Sequence, residues 1–412
     1  MGKRRYRKSQ GKTRKLFAAP GDEAEACKLE GEMVSTTYLD GFIPAGATYN
    51  ECLRCGTCLR KCPVMKMEKE EAEAEISRLI TGEDTRRVLN ECTFCFSCNH
   101  FCPCGLKPYN LIMERMVERN RKNGTGLLPF AAYMVEGRNQ PGYFNERYQK
   151  ASDAEKAVLR KWSELPGRAK DVLFIGCYYR NAPLGIEQSK VLQSLPKYGP
   201  RDICCGDIPY RFGNYQAFRE IADKAFNRLS SLKGDRMVCY CPSCANYFGN
   251  IWPNCHGLRL PFEIISLFEW LWEQYQKGGL QISRKVTGDV VISDSCHSGE
   301  LGDHFAEAVR GLYEAAGMRV VELRNNRHEP LCCGFACYLL GTDDKSGVSE
   351  ATQRKMEQIL ETGTDNVTFI CHGCEAHLSQ HLAGANVKSH LAVDDILKLF
   401  ESDTGTAGRE AV

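Results

Sequence analysis

The sequence predicts a mixed α+β and α/β protein, in which a helical cysteine-dense domain precedes a duplicated α/β domain with pseudo-two-fold symmetry. The first observation is a repeat: Cys204-Cys205-Gly206 and Cys332-Cys333-Gly334 each lie between a lone upstream cysteine and a downstream C-x-x-C. The second is that short apolar runs before these cysteines alternate with helical patterns, as in α/β folds. The repeat therefore predicts two metal-binding half-domains of one kind.

The strand predictions rest on four apolar runs that lead into cysteines of the repeat. They are DVLFIG before Cys177, RMVCY before Cys241, DVVISDS before Cys296 and NVTFI before Cys371. Runs of this kind are typical of buried parallel strands. Because open α/β sheets place their sites beyond the carboxyl ends of the strands, we expect the cysteines to gather there.

The spacing inside the two copies favours duplication. There are 34 residues between Gly206 and Cys241, and 36 between Gly334 and Cys371. The upstream intervals differ more, with 26 residues after Cys177 and 35 after Cys296 before each cysteine pair. Pseudo-symmetry would place the two cysteine sets facing one another across a cleft.

The cysteine content decides the class of protein. A secreted disulfide framework would explain 23 cysteines, but the count is odd, no apolar signal segment is present and the cysteines cluster in C-x-x-C and Cys-Cys units. A chain of 412 residues also needs no disulfides to compensate for a small core. Metal binding in a reducing cytoplasm is the favoured interpretation.

The charge distribution excludes one class of partner. A net charge of +2 argues against nucleic-acid binding, although the first 15 residues, MGKRRYRKSQGKTRK, form a basic arm. Such an arm is either a solvated tail or a contact for an anionic membrane surface or an acidic partner protein. No stretch approaches the roughly 20 apolar residues that span a bilayer. We expect a cytoplasmic protein, with membrane association through a partner as the alternative.

Composition and motifs divide the chain into six zones. The predicted zones are a basic arm (1–44), a ferredoxin-like domain (45–120), a connector (121–168), a first half-domain (169–285), a second half-domain (286–400) and a disordered tail (401–412).

The ferredoxin-like domain carries the spacing C-x2-C-x2-C-x3-C-P twice, ending at Pro63 and at Pro103. In this motif three close cysteines bind one [4Fe–4S] cube and the fourth binds the other. The predicted ligands are Cys52, Cys55, Cys58 and Cys102 for the first cubane, and Cys92, Cys95, Cys98 and Cys62 for the second. A pair of zinc sites is the alternative, but zinc motifs rarely crowd four cysteines within eleven residues.

The two repeated Cys-Cys-Gly layouts resemble the catalytic subunit of heterodisulfide reductase, and the preceding two-cubane module resembles the fused, D-type form (HdrC-like module joined to an HdrB-like double CCG domain). The resemblance covers about 45–400. It implies a noncubane [4Fe–4S] cluster in each copy, and so four [4Fe–4S] clusters in all. The implied ligands are Cys177, Cys204, Cys205, Cys241 and Cys244 for the first, and Cys296, Cys332, Cys333, Cys371 and Cys374 for the second.

The resemblance also implies a reaction, in which the cubanes feed single electrons to two noncubane clusters that cleave or form a disulfide lying between them. His297 and His372, adjacent to Cys296 and Cys371, are candidate proton donors or hydrogen-bond partners of cluster sulfur, and a packing role is the alternative. Phe335 stands where relatives carry further glycines, which counts against the methanogen coenzymes as substrates. The remaining cysteines are expected to be thiols: Cys27, Cys104, Cys239, Cys255 and Cys337.

Two further functions remain open. One is a noncatalytic electron-relay subunit of a larger anaerobic complex, such as a benzoyl-CoA reductase complex or a flavoprotein- or quinone-linked complex. The other is a structural metal scaffold. No flavin-binding glycine fingerprint is present, so an outside electron source is expected. The resemblance suggests an HdrA-like flavoprotein or a cytochrome b-type membrane protein as partner, besides a small thiol or disulfide substrate.

Overall fold

The structure is a computed structural model that describes residues 51–124, 143–336 and 349–402. The predicted basic arm, part of the connector and most of the predicted tail lie outside the described residues, as do Cys27 and Cys337. Among the described residues, no helix is long and apolar enough to cross a bilayer.

The N-terminal domain is helical. Gly82 ends its longest early helix in the left-handed conformation (φ 75°), and Pro108 begins the last one. Ile76 and Leu79 are buried on this helix, which packs against the last helix. The helices are α1 (Thr57–Arg60), α2 (Lys69–Thr81), α3 (Val88–Glu91) and α4 (Pro108–Asn123), with a 3₁₀ turn at Ser97–His100.

The described part of the connector forms two helices, α5 (Tyr143–Lys150) and α6 (Asp153–Ser163). Ser152 and Glu155 form a capping box at the start of α6. Trp162 is fully buried near its end, and its Nε1 donates to Glu187 at 2.9 Å. The connector is therefore packed on the first half-domain.

The first half-domain is a four-stranded parallel sheet in the order β2-β1-β3-β4. Its strands are β1 (Ala169–Phe174), β2 (Lys197–Tyr198), β3 (Gly234–Cys239) and β4 (Glu263–Ser266). Its helices are α7 (Pro183–Glu187), α8 (Asp207–Arg211), α9 (Tyr215–Leu229), α10 (Pro242–Asn246), α11 (Trp252–Cys255) and α12 (Leu267–Gln276), with 3₁₀ turns at Tyr178–Asn181 and Lys190–Leu192 and a π-helical turn at Tyr247–Ile251.

The second half-domain repeats this topology. A short strand, β5 (Leu280–Ile282), precedes a parallel sheet in the order β7-β6-β8-β9, and β10 (Phe400–Ser402) pairs antiparallel with β5. The sheet strands are β6 (Gly288–Ser293), β7 (Met318–Val321), β8 (Asn366–Phe369) and β9 (Lys388–Leu391). The helices are α13 (Cys296–Leu301), α14 (Asp303–Ala315), α15 (Glu350–Leu360), α16 (His372–Ala383) and α17 (Ala392–Leu399).

Both sheets place their second, first, third and fourth strands side by side in that order. The predicted strands before Cys177, Cys241, Cys296 and Cys371 are β1, β3, β6 and β8, and each lies at the centre of its sheet. The shared order agrees with duplication of a half-domain. A pseudo-two-fold axis between the halves stays a prediction.

Candidate metal centre

Two cavities in the helical domain are each lined by four predicted cysteines. Cys52, Cys55, Cys58 and Cys102 line the first cavity, together with the apolar side chains of Ile76 and Leu111. Cys62, Cys92, Cys95 and Cys98 line the second, beside Phe96 and Tyr109. Each cavity thus combines three cysteines of one motif with the fourth of the other.

The loops of this domain direct backbone N–H groups at cysteine sulfur. Arg54 and Phe94 have left-handed backbones (φ 54° and 55°), and their N–H groups donate to the Sγ atoms of Cys52 and Cys92 at 3.4 Å in each case. The N–H of Met65 lies 3.5 Å from Cys62 Sγ. Such donors stabilise the negative charge of thiolate ligands.

Glu75 binds the chain segment that precedes Cys92 through hydrogen bonds. Its carboxylate accepts the N–H groups of Arg86, Arg87 and Val88 at 2.9, 3.0 and 3.0 Å, and it pairs with Arg78 at 3.0 Å. Burial by itself would raise the pKa of Glu75, but these hydrogen bonds lower it below its usual range. No sequence pattern had indicated this role.

All five predicted cysteines of the second half-domain line one cavity: Cys296, Cys332, Cys333, Cys371 and Cys374. His297, His372 and Phe335 also line it. The other half-domain contributes Asp207, Arg211 and Ser243, and the helical domain contributes Thr93. The cavity therefore lies where three parts of the chain meet.

The five predicted cysteines of the first half-domain are joined by pairwise contacts. Cys177 and Cys204 have their Sγ atoms 3.6 Å apart. Cys205 shares hydrogen bonds with Cys204 and Cys244, and Cys241 shares one with Cys244. The five thiols form one contiguous set.

The glycine after each cysteine pair is required by its conformation. Gly206 and Gly334 both have φ +84°, and their N–H groups donate to the sulfur two residues earlier, at 3.5 and 3.4 Å. A Cβ on Gly206 would lie 2.6 Å from the ring of Phe218, and one on Gly334 would meet the hydroxyl of Thr352. A third glycine, Gly176, allows the chain just beyond β1 to approach Cys244, whose Sγ would lie 3.1 Å from an added Cβ.

The four cysteine sets follow one another in space. The thiol of Cys98 interacts electrostatically with that of Cys58, and the thiol of Cys332 with that of Cys95. Cys371 interacts in the same way with Cys241. The two cysteine sets of the helical domain therefore come first in this spatial order. The set of the second half-domain follows them, and the set of the first half-domain comes last.

The thiols differ in how readily they ionise. The hydrogen bond with Cys374, helped by His372, lowers the pKa of Cys371 to about 6 against the effect of burial. Burial raises the pKa of Cys296 to about 12, a rise that Arg211 reduces. The thiolate is the form that binds metal, and burial opposes it at Cys296, whereas the hydrogen bond with Cys374 favours it at Cys371.

The chemistry of the donors fits iron–sulfur clusters, since sets of four and five buried or half-buried thiols receive N–H donors from the backbone. Within the described ranges, no three Cys, His, Asp or Glu side chains are arranged to hold a single metal ion.

Three segments of the chain match known families. Residues 172–249 and 290–379 match the family described as "Cysteine-rich domain", and residues 48–106 match "4Fe-4S dicluster domain". The D-type component of the dihydromethanophenazine:CoB–CoM heterodisulfide reductase of Methanosarcina barkeri is 24% identical over 95% of this chain and 97% of its own length. Over its length the chain is thus similar to D-type heterodisulfide reductase proteins, that is, HdrD-like. It combines a 4Fe-4S dicluster domain with two cysteine-rich domains.

Other relatives of this HdrD-like protein carry different names. The EtfAB:quinone oxidoreductase of Syntrophomonas wolfei is 20% identical over 85% of this chain and 57% of its own length. The B component of the CoM/CoB fumarate reductase of Methanothermobacter marburgensis is 23% identical over 85% of this chain and 71% of its own length. The relatives of this chain therefore carry the names of several kinds of oxidoreductase.

The two candidate histidines of the HdrD-like protein have different surroundings. His297 is buried, with Nε2 beside Arg211 and 3.1 Å from Asp207, and with Nδ1 3.2 Å from Asn246. Protein partners thus occupy both ring nitrogens. His372 shares a hydrogen bond with Cys241 of the other half-domain, and its ring stacks on Tyr178 at 3.9 Å.

One expectation about the remaining cysteines is wrong. Cys239 and Cys255 are free buried thiols, but Cys104 is disulfide-bonded rather than a thiol. Cys104 lies two residues after Cys102 and lines the same cavity. The pairing of a cysteine cannot be deduced from its position in the sequence, so the spacing could not reveal this bond.

Proposed function

We propose that the HdrD-like protein holds four [4Fe–4S] clusters, two cubane and two noncubane, on the ligand sets predicted from its sequence. Support comes from the crossed four-cysteine cavities and from the two five-cysteine sets in the half-domains. Each adjacent cysteine pair is held by a glycine that no other residue replaces without strain.

We infer further that the protein is an oxidoreductase that cleaves or forms a disulfide between the two half-domains. When bound, the clusters would supply single electrons, two of which reduce R–S–S–R′ with two protons to RSH and R′SH. The observation that carries this proposal is the interface cavity, which contains all five cysteines of one set. Cys241 of the other set interacts with Cys371 in the same region.

The protein's own residues would prepare this interface. Tyr179, buried with 6% exposure, interacts with both Cys241 and Cys371, and its ring lies 4.5 Å from that of Tyr240. These rings exclude water from the space between the sets. His372 donates a hydrogen bond toward Cys241 and, next to Cys371, is the better placed of the two histidines to hold a proton for a departing sulfur.

A noncatalytic electron relay is the second candidate. The observation that favours it is the stack of Tyr178 on His372, with ring planes 16° apart, because these rings occupy part of the interface that a disulfide would need. A relay requires close clusters and no substrate cavity. The name of the Syntrophomonas relative, a quinone oxidoreductase, is in keeping with this alternative.

Partners follow from either candidate. We propose that electrons reach or leave the chain through an HdrA-like flavoprotein or a cytochrome b-type membrane protein. We place the protein in the cytoplasm, with the basic arm as a contact for an anionic membrane surface or an acidic partner protein.

The test is iron analysis and spectroscopy on anaerobically purified protein. Four clusters give about sixteen irons per chain, whereas about eight would contradict the noncubane assignment. The protein is then oxidised with and without a small thiol such as coenzyme M. A paramagnetic signal that requires the thiol supports disulfide chemistry, and Cys371→Ser should abolish it. An identical spectrum with a panel of thiols supports the relay.

A further inference from the structure

A single buried arginine contacts all three folded parts of the chain. Arg211, at the end of α8, is 8% exposed. Its Nη1 lies 3.4 Å from the carbonyl oxygen of Phe94 and 3.5 Å from Cys296 Sγ. Its Nε pairs with Asp207 at 3.0 Å, and its Nη2 contacts Nε2 of His297. The helical domain and both half-domains therefore share one guanidinium.

We propose that Arg211 is a positioning residue with two effects. It docks the ferredoxin-like domain on the second half-domain, and it stabilises the reduced form of the cluster bound through Cys296, so that this site accepts electrons before the site of the first half-domain. The proposal rests on the proposed function, because it takes the cluster content as given.

The docking effect follows from where Arg211 binds. Phe94 immediately precedes Cys95, whose thiol interacts with Cys332 of the second half-domain. The guanidinium carbon also lies 5.5 Å from the ring centre of Phe96, within the range of a cation–π contact. Arg211 thus holds the loop of the second four-cysteine cavity at the point where it meets the five-cysteine cavity.

The electronic effect follows from charge. Reduction adds a negative charge to a cluster, and a guanidinium remains positive throughout the physiological range. Its attraction for that charge is strong in a buried site, and an N–H donor to the ligating sulfur acts in the same direction. Asp207 offsets part of the positive charge, but it pairs with Nε, whereas Nη1 donates to Cys296.

The first half-domain receives a different donor. There the side chain from the opposite half is His372, whose imidazole bonds Cys241. Arg180 lies near Cys177, but its guanidinium donates to the carbonyl oxygens of Pro200 and Ile203. Each five-cysteine set thus receives a hydrogen bond from a side chain of the other half-domain. Among the described residues, only the set of the second half-domain receives one from a guanidinium. Because a guanidinium is always positive and an imidazole only when protonated, this difference favours earlier reduction of the second half-domain's cluster.

The experiment measures reduction potentials in the anaerobic holoprotein. The signal of the cluster in the second half-domain is the one that Cys371→Ser removes. In Arg211→Gln, the ratio of reduced to oxidised cluster at a fixed potential should fall about tenfold, a shift of about 59 mV for one electron. In Asp207→Asn the ratio should rise, because the arginine loses its counter-charge. Arg310→Gln is the matched control, since Arg310 is also buried but pairs with Asp294 and Glu322.

Hydrogen exchange tests the docking in the same samples. The amides of residues 93–97 should exchange faster in Arg211→Gln and remain unchanged in Arg310→Gln. An unchanged ratio in both Arg211→Gln and Asp207→Asn, at full iron content, would overturn the electronic role. If Arg211→Gln does not retain the cluster of the second half-domain, Asp207→Asn tests the electronic role instead. A higher ratio of reduced to oxidised cluster supports that role, and an equal or lower ratio overturns it. About eight irons in the unmodified protein would instead remove the proposed function itself.

Discussion

Replacing Glu75 with alanine should loosen the chain ahead of Cys92 by about 3 kcal/mol. The carboxylate is 1% exposed, and it accepts three backbone N–H groups besides pairing with Arg78. Breaking a buried charged network costs about 3–5 kcal/mol, and each hydrogen bond to a charged group contributes about 1.5–3 kcal/mol. Because Arg86 is exposed and Arg87 half-buried, their freed N–H groups regain water, which favours the lower figure.

The assay is hydrogen exchange of a peptide that covers residues 84–92, in anaerobic holoprotein. At 1.4 kcal/mol for each factor of ten, the loss corresponds to roughly a hundredfold faster exchange. Glu73→Ala is the control on the same helix, because Glu73 is 40% exposed and pairs with Lys69 at 3.9 Å, a contact of about 0.5 kcal/mol or less. Equal exchange in the two variants would refute the role given to Glu75.

Three further predictions concern the same chain. Cys62→Ser should disturb the cluster of the Cys92 motif rather than that of its own motif, visible as the loss of one cubane signal, and loss of the other signal would contradict crossed ligation. Gly334→Ala should lower the iron content, because its Cβ would meet hydroxyl groups, whereas Gly363→Ala (φ +66°, open space) should retain full iron. The stabilisation from Glu75, whose pKa is lowered, is present above about pH 4.3 and is lost as pH falls through its folded-state pKa. Protection of the 86–88 amides, corrected for intrinsic rates, should therefore fall in acid in the native protein and stay flat in Glu75→Gln.

The cysteine spacing carried most of what could be predicted about the site. The C-x3-C-P spacing already implies that Cys62 and Cys102 each bind the cluster of the other motif. In the structure, each lines the cavity of the other motif. Strands β1, β3, β6 and β8 were predictable because each ends in three or four consecutive buried residues, most of them apolar. Local chemistry and local periodicity are both visible in a single chain.

The parts that sequence could not predict depend on distant contacts. Arg211 lies 117 positions from Phe94 and 85 from Cys296, and no local pattern marks such partners. Strand β2 has two residues and β10 has three, which is too short for any alternation to appear. The disulfide of Cys104 was hidden for the same reason, since pairing is a property of the folded chain.

The antiparallel pairing of β5 with β10 bears on how this protein could have evolved by copying or exchanging a half-domain. The two strands flank the second half-domain in sequence and pair from Leu280 with Ser402 to Ile282 with Phe400, so the beginning and end of that half-domain lie one strand spacing apart, about 4.8 Å. A domain whose two ends lie close together can be duplicated or inserted without displacing the segments on either side of it. The second half-domain is thus a self-closed segment that recombination could exchange whole.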